Sequence, residues 1–213
     1  MKSYLSELVG TALLLAVVTG SGIMGDSLSN GNGAVALLGN SIATGAALYT
    51  LIVLLGPISG AHFNPLVSLM FWKHGKLELS KLLGYWFFQF LGAVIGVWTT
   101  HLMFGLEIIQ ESVKVRTGLG IWASEFISTL ILLSVINISE RGEKSRTPML
   151  VALTVTAGYW FTSSTFFANP AVTFARSLTN TFVGIEPADV MGFVIAQVCA
   201  AIVIIGINHV SKE

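Results

Sequence analysis

The sequence predicts an all-α membrane protein of six transmembrane helices and two re-entrant half-helices, arranged as an inverted repeat. Three observations carry that reading: the scarcity of charge, the number and length of the apolar runs, and a duplicated Asn-Pro motif. Of the 213 residues, 54% are apolar and only 10% charged, and the mean hydropathy is +0.79. Soluble domains carry roughly a quarter charged residues, so this chain has too little polar surface for water and must be surrounded by lipid. Eleven basic residues balance eleven acidic ones, leaving no bulk field to attract nucleic acid or acidic partners. The single cysteine, Cys199, has no partner for an internal disulfide and is expected to pack in its apolar run.

Crossing about 30 Å of hydrocarbon takes about 20 helical residues. Suitable runs fall at Tyr4 to Met24, Gly33 to Leu55, Lys81 to Phe104, Gly118 to Ile138, Pro148 to Phe167 and Pro187 to His209. Two further apolar stretches, around "SGAHFNPLVSLMFW" and "FANPAVTFAR", are too short to span. A helix from Pro65 to Trp72 is about 12 Å long, so each stretch can only dip in and stop. The first span also imitates a signal peptide, with Lys2 ahead of an apolar core and "TGSG" behind it. Its internal copy argues against removal: "SELVGTALLL" from Ser6 matches "SEFISTLILL" from Ser124.

The repeat continues. "HFNPLVSL" from His62 matches "FANPAVTF" from Phe167, and Gln89 answers Gln197. Each copy holds three spans, an odd number, so the second copy enters the bilayer from the opposite side. The two half-helices then approach from opposite faces and their first residues meet near the midplane. Asparagine is a preferred helix cap and proline a preferred first helical residue, so Asn64-Pro65 and Asn169-Pro170 each start a helix. The asparagine oxygen caps the helix, which leaves its NH2 to donate to a passing solute. Both helix dipoles point about half a positive charge at the same place and repel cations and protons.

The paired motifs, with Glu7, Glu125, Gln89 and Gln197 at repeat-related places, resemble the aquaporin family of major intrinsic proteins along the whole chain. The resemblance implies one aquaporin-like channel domain over residues 1–213, with repeat 1 at about 1–105 and repeat 2 at about 118–210. It implies a homotetramer with a pore in every subunit, and passive conduction of water or small uncharged solutes without enzymatic activity, metal or cofactor. The motif residues Asn64, Pro65, Leu66, Asn169, Pro170 and Ala171 are expected at the pore centre. Leu66 stands where the family usually has alanine.

The family narrows at four positions: twenty residues before the first asparagine, twelve and three before the second, and three after it. Here these are Thr44, Ala157, Phe166 and Val172. Members that conduct water or glycerol usually carry arginine at the last position. This chain has valine and places Arg176 one turn further out, in the expected vestibule, so the opening is expected to be wide and uncharged. A bacterial subgroup associated with arsenic resistance also reads Asn-Pro-Ala-Val. Candidate solutes are therefore water, glycerol-like polyols and metalloid hydroxides such as arsenous acid.

Glu7 and Glu125 lie within spans, where a carboxylate suggests proton coupling. The structural reading is that they accept backbone N–H groups of the re-entrant loops, and repeat-symmetric placement favours it. His62 reads as a loop-orienting residue, since no second ligand accompanies it at metal spacing. Gln89 and Gln197 read as interhelical hydrogen-bond donors, and His101 and His209 as interfacial. No nucleophile, base and orienter assemble in the pattern. The alternatives to a channel are an ion- or proton-coupled secondary transporter and a structural membrane-adhesion protein. Eight basic residues (Lys2, Lys73, Lys76, Lys81, Arg141, Lys144, Arg146, Lys212) fall on the side of the termini and three (Lys114, Arg116, Arg176) on the other. The positive-inside rule then puts both termini in the cytoplasm, at a bacterial inner membrane.

Overall fold

The computed structural model describes the backbone of residues 1–210 and the side chains of residues 1–207. Two sets of helices follow the same order of long, long, short, long. The first is α1 (Lys2–Leu28), α2 (Gly33–Ser59), α3 (Pro65–Lys73) and α4 (Leu79–Met103). The second is α5 (Leu119–Arg141), α6 (Thr147–Phe161), α7 (Pro170–Arg176) and α8 (Pro187–Val210), with one 3-10 turn, Lys144–Arg146, ahead of α6. No strand occurs among the described residues. Within each set the first long helix packs on the second and the last, and α2 against α6 joins the sets.

Local chemistry explains the boundaries. Asn32 caps α2 by accepting from the N–H groups of Ala34 and Val35 at 3.1 and 3.4 Å. Gly60, at φ +92°, ends α2 in the left-handed region and returns its N–H to the Gly56 carbonyl. The α1–α4 seam is closed by small residues: a Cβ on Gly92 or Gly96 would sit 2.3 or 2.2 Å from the carbonyl oxygens of Leu8 and Ala12. Only glycine lets the two backbones approach that closely.

Helices α1, α2, α4, α5 and α8 are long and apolar enough to cross a membrane. The fifth expected span is corrected. Helix α6 has 15 residues, about 22 Å, and stops at Phe161 rather than Phe167. The chain beyond it must turn into the second re-entrant loop, where Thr165 and Phe166 take positive φ.

Apolar side chains such as Leu5, Leu13, Phe87, Ile195 and Ile202 face outward, where hydrocarbon replaces water. Cys199 is among the outward-facing residues, so its expected packing inside the protein is corrected. His101, expected at the interface, is fully buried. Its ring nitrogens bond the Ile108 carbonyl and the Thr179 hydroxyl, both at 2.8 Å, tying the end of α4 to both neighbouring loops. The side chains of His209 and Lys212 lie outside the described residues.

Candidate functional site

Each re-entrant loop hangs on a buried carboxylate. Glu7 on α1 accepts the Ser59 hydroxyl at 2.7 Å, the backbone N–H groups of His62 and Phe63 at 3.0 and 2.7 Å, and the Gln89 amide at 2.8 Å. Glu125 on α5 accepts the N–H groups of Phe167 and Ala168, both at 2.9 Å, and the Gln197 amide at 2.6 Å. Gln89 also donates to Ser68 at 3.0 Å and Gln197 to Thr173 at 2.9 Å. Two consecutive N–H groups converge on one carboxylate because the loop backbone alternates into the left-handed region: Ala61 and Phe63 in the first loop, Phe166 and Ala168 in the second, have φ between 47° and 56°. Non-glycine residues avoid that region, so the hydrogen bonds must offset the strain.

The two half-helices begin where the sequence puts them. The Asn64 oxygen accepts from the N–H of Leu66 at 2.9 Å, and the Asn169 oxygen from Ala171 and Val172 at 3.0 and 3.3 Å. The expectation that both NH2 groups are left entirely to a solute is corrected. Asn64 Nδ2 donates to the Ala168 carbonyl and Asn169 Nδ2 to the Phe63 carbonyl, each at 2.8 Å. An amide NH2 has two protons, so one from each asparagine staples the loops together and the other remains for the lumen, which both residues line. Pro65, Leu66, Pro170 and Ala171 are buried and do not line it. Leu66 packs behind the motif in the core.

A lumen runs through this point. Its wall is mainly aliphatic, with Leu14, Val18, Leu48, Val67, Ile136 and Val151 among its members, and polar groups enter at a few places. Toward one end stand Phe71, Thr147 and Glu140. Glu140 pairs with Lys76 and Lys144, each at 3.6 Å. Toward the other end stand Thr44, Phe166, Val172 and Arg176. His62 lines the wall as well, its Nδ1 bonded to Ser68 at 3.0 Å and its ring against Phe71 and Tyr85.

Three of the four expected narrowing positions therefore meet, and Ala157 does not. It lies on the exposed outer face of α6. The lumen takes Tyr159 instead, whose hydroxyl sits 3.2 Å from that of Thr44. A fixed offset from Asn169 fails here because the number of residues between α6 and the motif decides which helical face looks inward. The adjacent Gly158 leaves the space that the Phe166 ring occupies, since a Cβ there would lie 2.2 Å from it.

The expectation of an uncharged opening is corrected too. Arg176 is 2% exposed and lines the lumen. Its guanidinium lies 3.4 Å from the centre of the Phe167 ring and its Nε donates to the Val183 carbonyl at 2.5 Å. Val172 puts no cation on the first turn of α7, and Arg176 places one at the next turn. No group of three or more metal-ligating side chains occurs among the described residues.

Comparison with known proteins gives this lumen, lined by the asparagines that start both half-helices, a family. Residues 1–166 match the major intrinsic protein family. The chain belongs to that family. Aquaglyceroporin AqpS of Rhizobium meliloti is 50% identical over 92% of this chain and 84% of its own. A probable aquaporin, AqpM, of Archaeoglobus fulgidus is 30% identical over 100% of this chain and 98% of its own. The X-ray structure of the aquaglyceroporin from Plasmodium falciparum superposes with a TM-score of 0.74 at 20% identity, covering 96% and 93% of the two chains. That likeness is one of fold. This major intrinsic protein is an integral membrane protein, a passive channel and not an enzyme.

Proposed function

We propose that this channel conducts water and small hydroxylated uncharged solutes, glycerol-like polyols and metalloid hydroxides such as arsenous acid among them, past a filter formed by Thr44, Tyr159, Phe166, Val172 and Arg176. The observation that carries the reading is the wall itself: an aliphatic lumen with donors at two levels, the asparagine pair and Arg176. A hydroxylated solute gives up water along the aliphatic stretches and recovers hydrogen bonds at the donors. The aquaglyceroporin name of the Rhizobium relative fits this solute class.

The coupled-transporter alternative needs a titratable centre in the path. Glu7 and Glu125 do not line the lumen, and their oxygens are taken up by loop and glutamine donors. Of the titratable groups that do line it, Glu140 is paired with Lys76 and Lys144 at one end, and His62 is held by Ser68 and by the rings of Phe71 and Tyr85. The adhesion alternative needs a sealed pore. We take residues 1–213 as one domain of two copies, about 1–105 and 118–210, assembled as a homotetramer in a bacterial inner membrane with both termini cytoplasmic. The eight-to-three excess of basic residues supports that orientation.

The test is reconstitution in liposomes with light-scattering permeation of water, glycerol, urea and arsenous acid. Fluxes should exceed those of empty vesicles, show no saturation at low concentration, and ignore imposed pH and sodium gradients. Uphill accumulation driven by either gradient would overturn the channel reading.

A further inference from the structure

Three cations, two from the loop between α4 and α5 and one from the end of α7, converge on one short piece of backbone at the Arg176 end of the lumen. Lys114 Nζ donates to the Phe182 carbonyl at 2.6 Å, Arg176 Nε to that of Val183, and Arg116 Nε to that of Gly184 at 2.8 Å. Consecutive carbonyls thus hold the three cations side by side. Arg176 and Arg116 also share one aromatic ring, with their guanidinium carbons 3.4 and 5.3 Å from the centre of Phe167. The segments are fastened to each other by backbone bonds from Ser112 to Ser177 and from Glu186 to Lys114, so the backbone that carries the cluster is fixed.

Among the described residues no carboxylate lies within ion-pairing distance of any of the three. Of the nearby acids, Glu125 is engaged by the second re-entrant loop and Asp189 by the backbone N–H of Arg116, while Asp26 on α1 and Glu186, whose backbone N–H bonds the Lys114 carbonyl, form no ion pair with the three. Arg176 is buried in the wall with Nε alone hydrogen-bonded to the protein, which leaves its terminal amino groups for the lumen.

We infer that this rim binds a small free oxyanion of phosphate size, which seats against Arg176 and obstructs the mouth of the pore. The inference rests on the pore reading of the same lumen. Three like charges gathered on three consecutive carbonyls, one of them buried, call for a counter-charge, and a guanidinium offers parallel donors that match two oxyanion oxygens. A neutral polyol satisfies those donors but leaves the charge uncompensated. The anion stops at the rim because the wall beyond is aliphatic and cannot replace the water around a full charge.

The rim also has a proton lever. Partial burial first, and then the charges of Arg116 and Arg176, lower the pKa of Lys114 to about 8, with Asp26 acting the other way. One cation is therefore lost as pH rises through about 8, and the anion should be held less tightly above that value.

The test uses the full chain in phosphatidylcholine liposomes, with glycerol flux measured in sodium phosphate against sodium chloride of equal ionic strength on both sides of the membrane. Phosphate should slow glycerol by about threefold or more and raise the unfolding temperature of the detergent-solubilised protein. Both effects should shrink in a K114Q/R116Q double variant, each protein being compared with itself in chloride. Equal glycerol flux in the two salts, with no shift in unfolding temperature, overturns the inference. Glycerol flux no greater than that of empty vesicles overturns the pore reading instead, and the phosphate shift in unfolding temperature then still reports on the rim. A phosphate effect that disappears on adding phosphatidylglycerol, at unchanged flux in chloride, assigns the rim to a lipid headgroup and overturns the claim for a free anion.

Discussion

The two re-entrant loops are built alike and finished differently. Both hang two consecutive N–H groups on a glutamate, both brace that glutamate with a glutamine, and both start a half-helix with an asparagine that staples itself to the other loop. They part most in chemistry at one position. Where the first loop has His62, bonded to Ser68 and stacked on Phe71 and Tyr85, the second has Phe167, which carries two guanidiniums on its ring. The difference teaches that the shared hydrogen-bond frame fixes where a half-helix begins, and that the side chain between the two hanging N–H groups is free to specialise. In the first loop it became a polar aromatic wall; in the second it became a seat for charge.

The largest expected effect comes from breaking the shared frame. Glu125→Leu leaves two loop N–H groups and the Gln197 amide without their acceptor, at a cost of about 3–5 kcal/mol. The variant should lose thermal stability in detergent and lose all fluxes together. Glu125→Gln retains one acceptor oxygen and should fall between the variant and the parent. Glu7→Leu should behave alike, because Glu7 carries the same burden. Full stability and flux in either leucine variant would show that the loops hold themselves.

That frame was legible in the sequence and the finish was not. The Asn-Pro pairs, Glu7, Glu125, Gln89 and Gln197 announce themselves because a duplication repeats each at the same relative place, and capping chemistry gives the repeat a geometric meaning. Ala157 misled because its position was counted along the chain, whereas orientation on a helix depends on where the helix ends, and α6 ends six residues short of the expected span. Tyr159, two residues on and so about 200° round the helix, is on the opposite, inward face. Arg176 was noticed, but its burial depends on Phe167 and on carbonyls supplied by residues 182–184, and no local pattern reports that meeting.

The next effect sharpens the difference at the second loop. Val172→Arg places a second guanidinium one turn before Arg176 on the lumen wall, narrowing the mouth and adding charge. Flux of glycerol and arsenous acid should fall by about tenfold and water flux by less. Repulsion between the two arginines, four residues apart, complicates the reading, so an Arg176→Gln background is measured in parallel. Equal proportional loss of water and glycerol in both backgrounds, with normal assembly, would remove position 172 from the filter. Arg176→Gln alone takes away a buried cation that the wall presents to the lumen. Permeation of small cations, read as dissipation of a sodium diffusion potential, should rise, yet stay far below that of an ionophore because the two half-helix dipoles remain. An ionophore-like leak would show that the dipoles do little without the arginine.

The smallest effect tests whether the divergent position is free to vary, by giving the first loop the second loop's residue. His62→Phe removes the ring nitrogen bonded to Ser68, a loss of about 1 kcal/mol. Ser68 itself stays satisfied, since it still accepts from Gln89 at 3.0 Å and donates to the Asn64 carbonyl at 3.3 Å. The new ring keeps the stacking surfaces of Phe71 and Tyr85. It gains no arginine, because the cations at the far end of the lumen all sit on the second loop's side. Water and glycerol fluxes should therefore remain within about twofold of the parent, and phosphate sensitivity should be unchanged. His62 does line the lumen, so a different result is informative: selective loss of glycerol flux with unfolding temperature maintained would make the imidazole a contact for the solute, and the first loop as specialised for passage as the second is for charge.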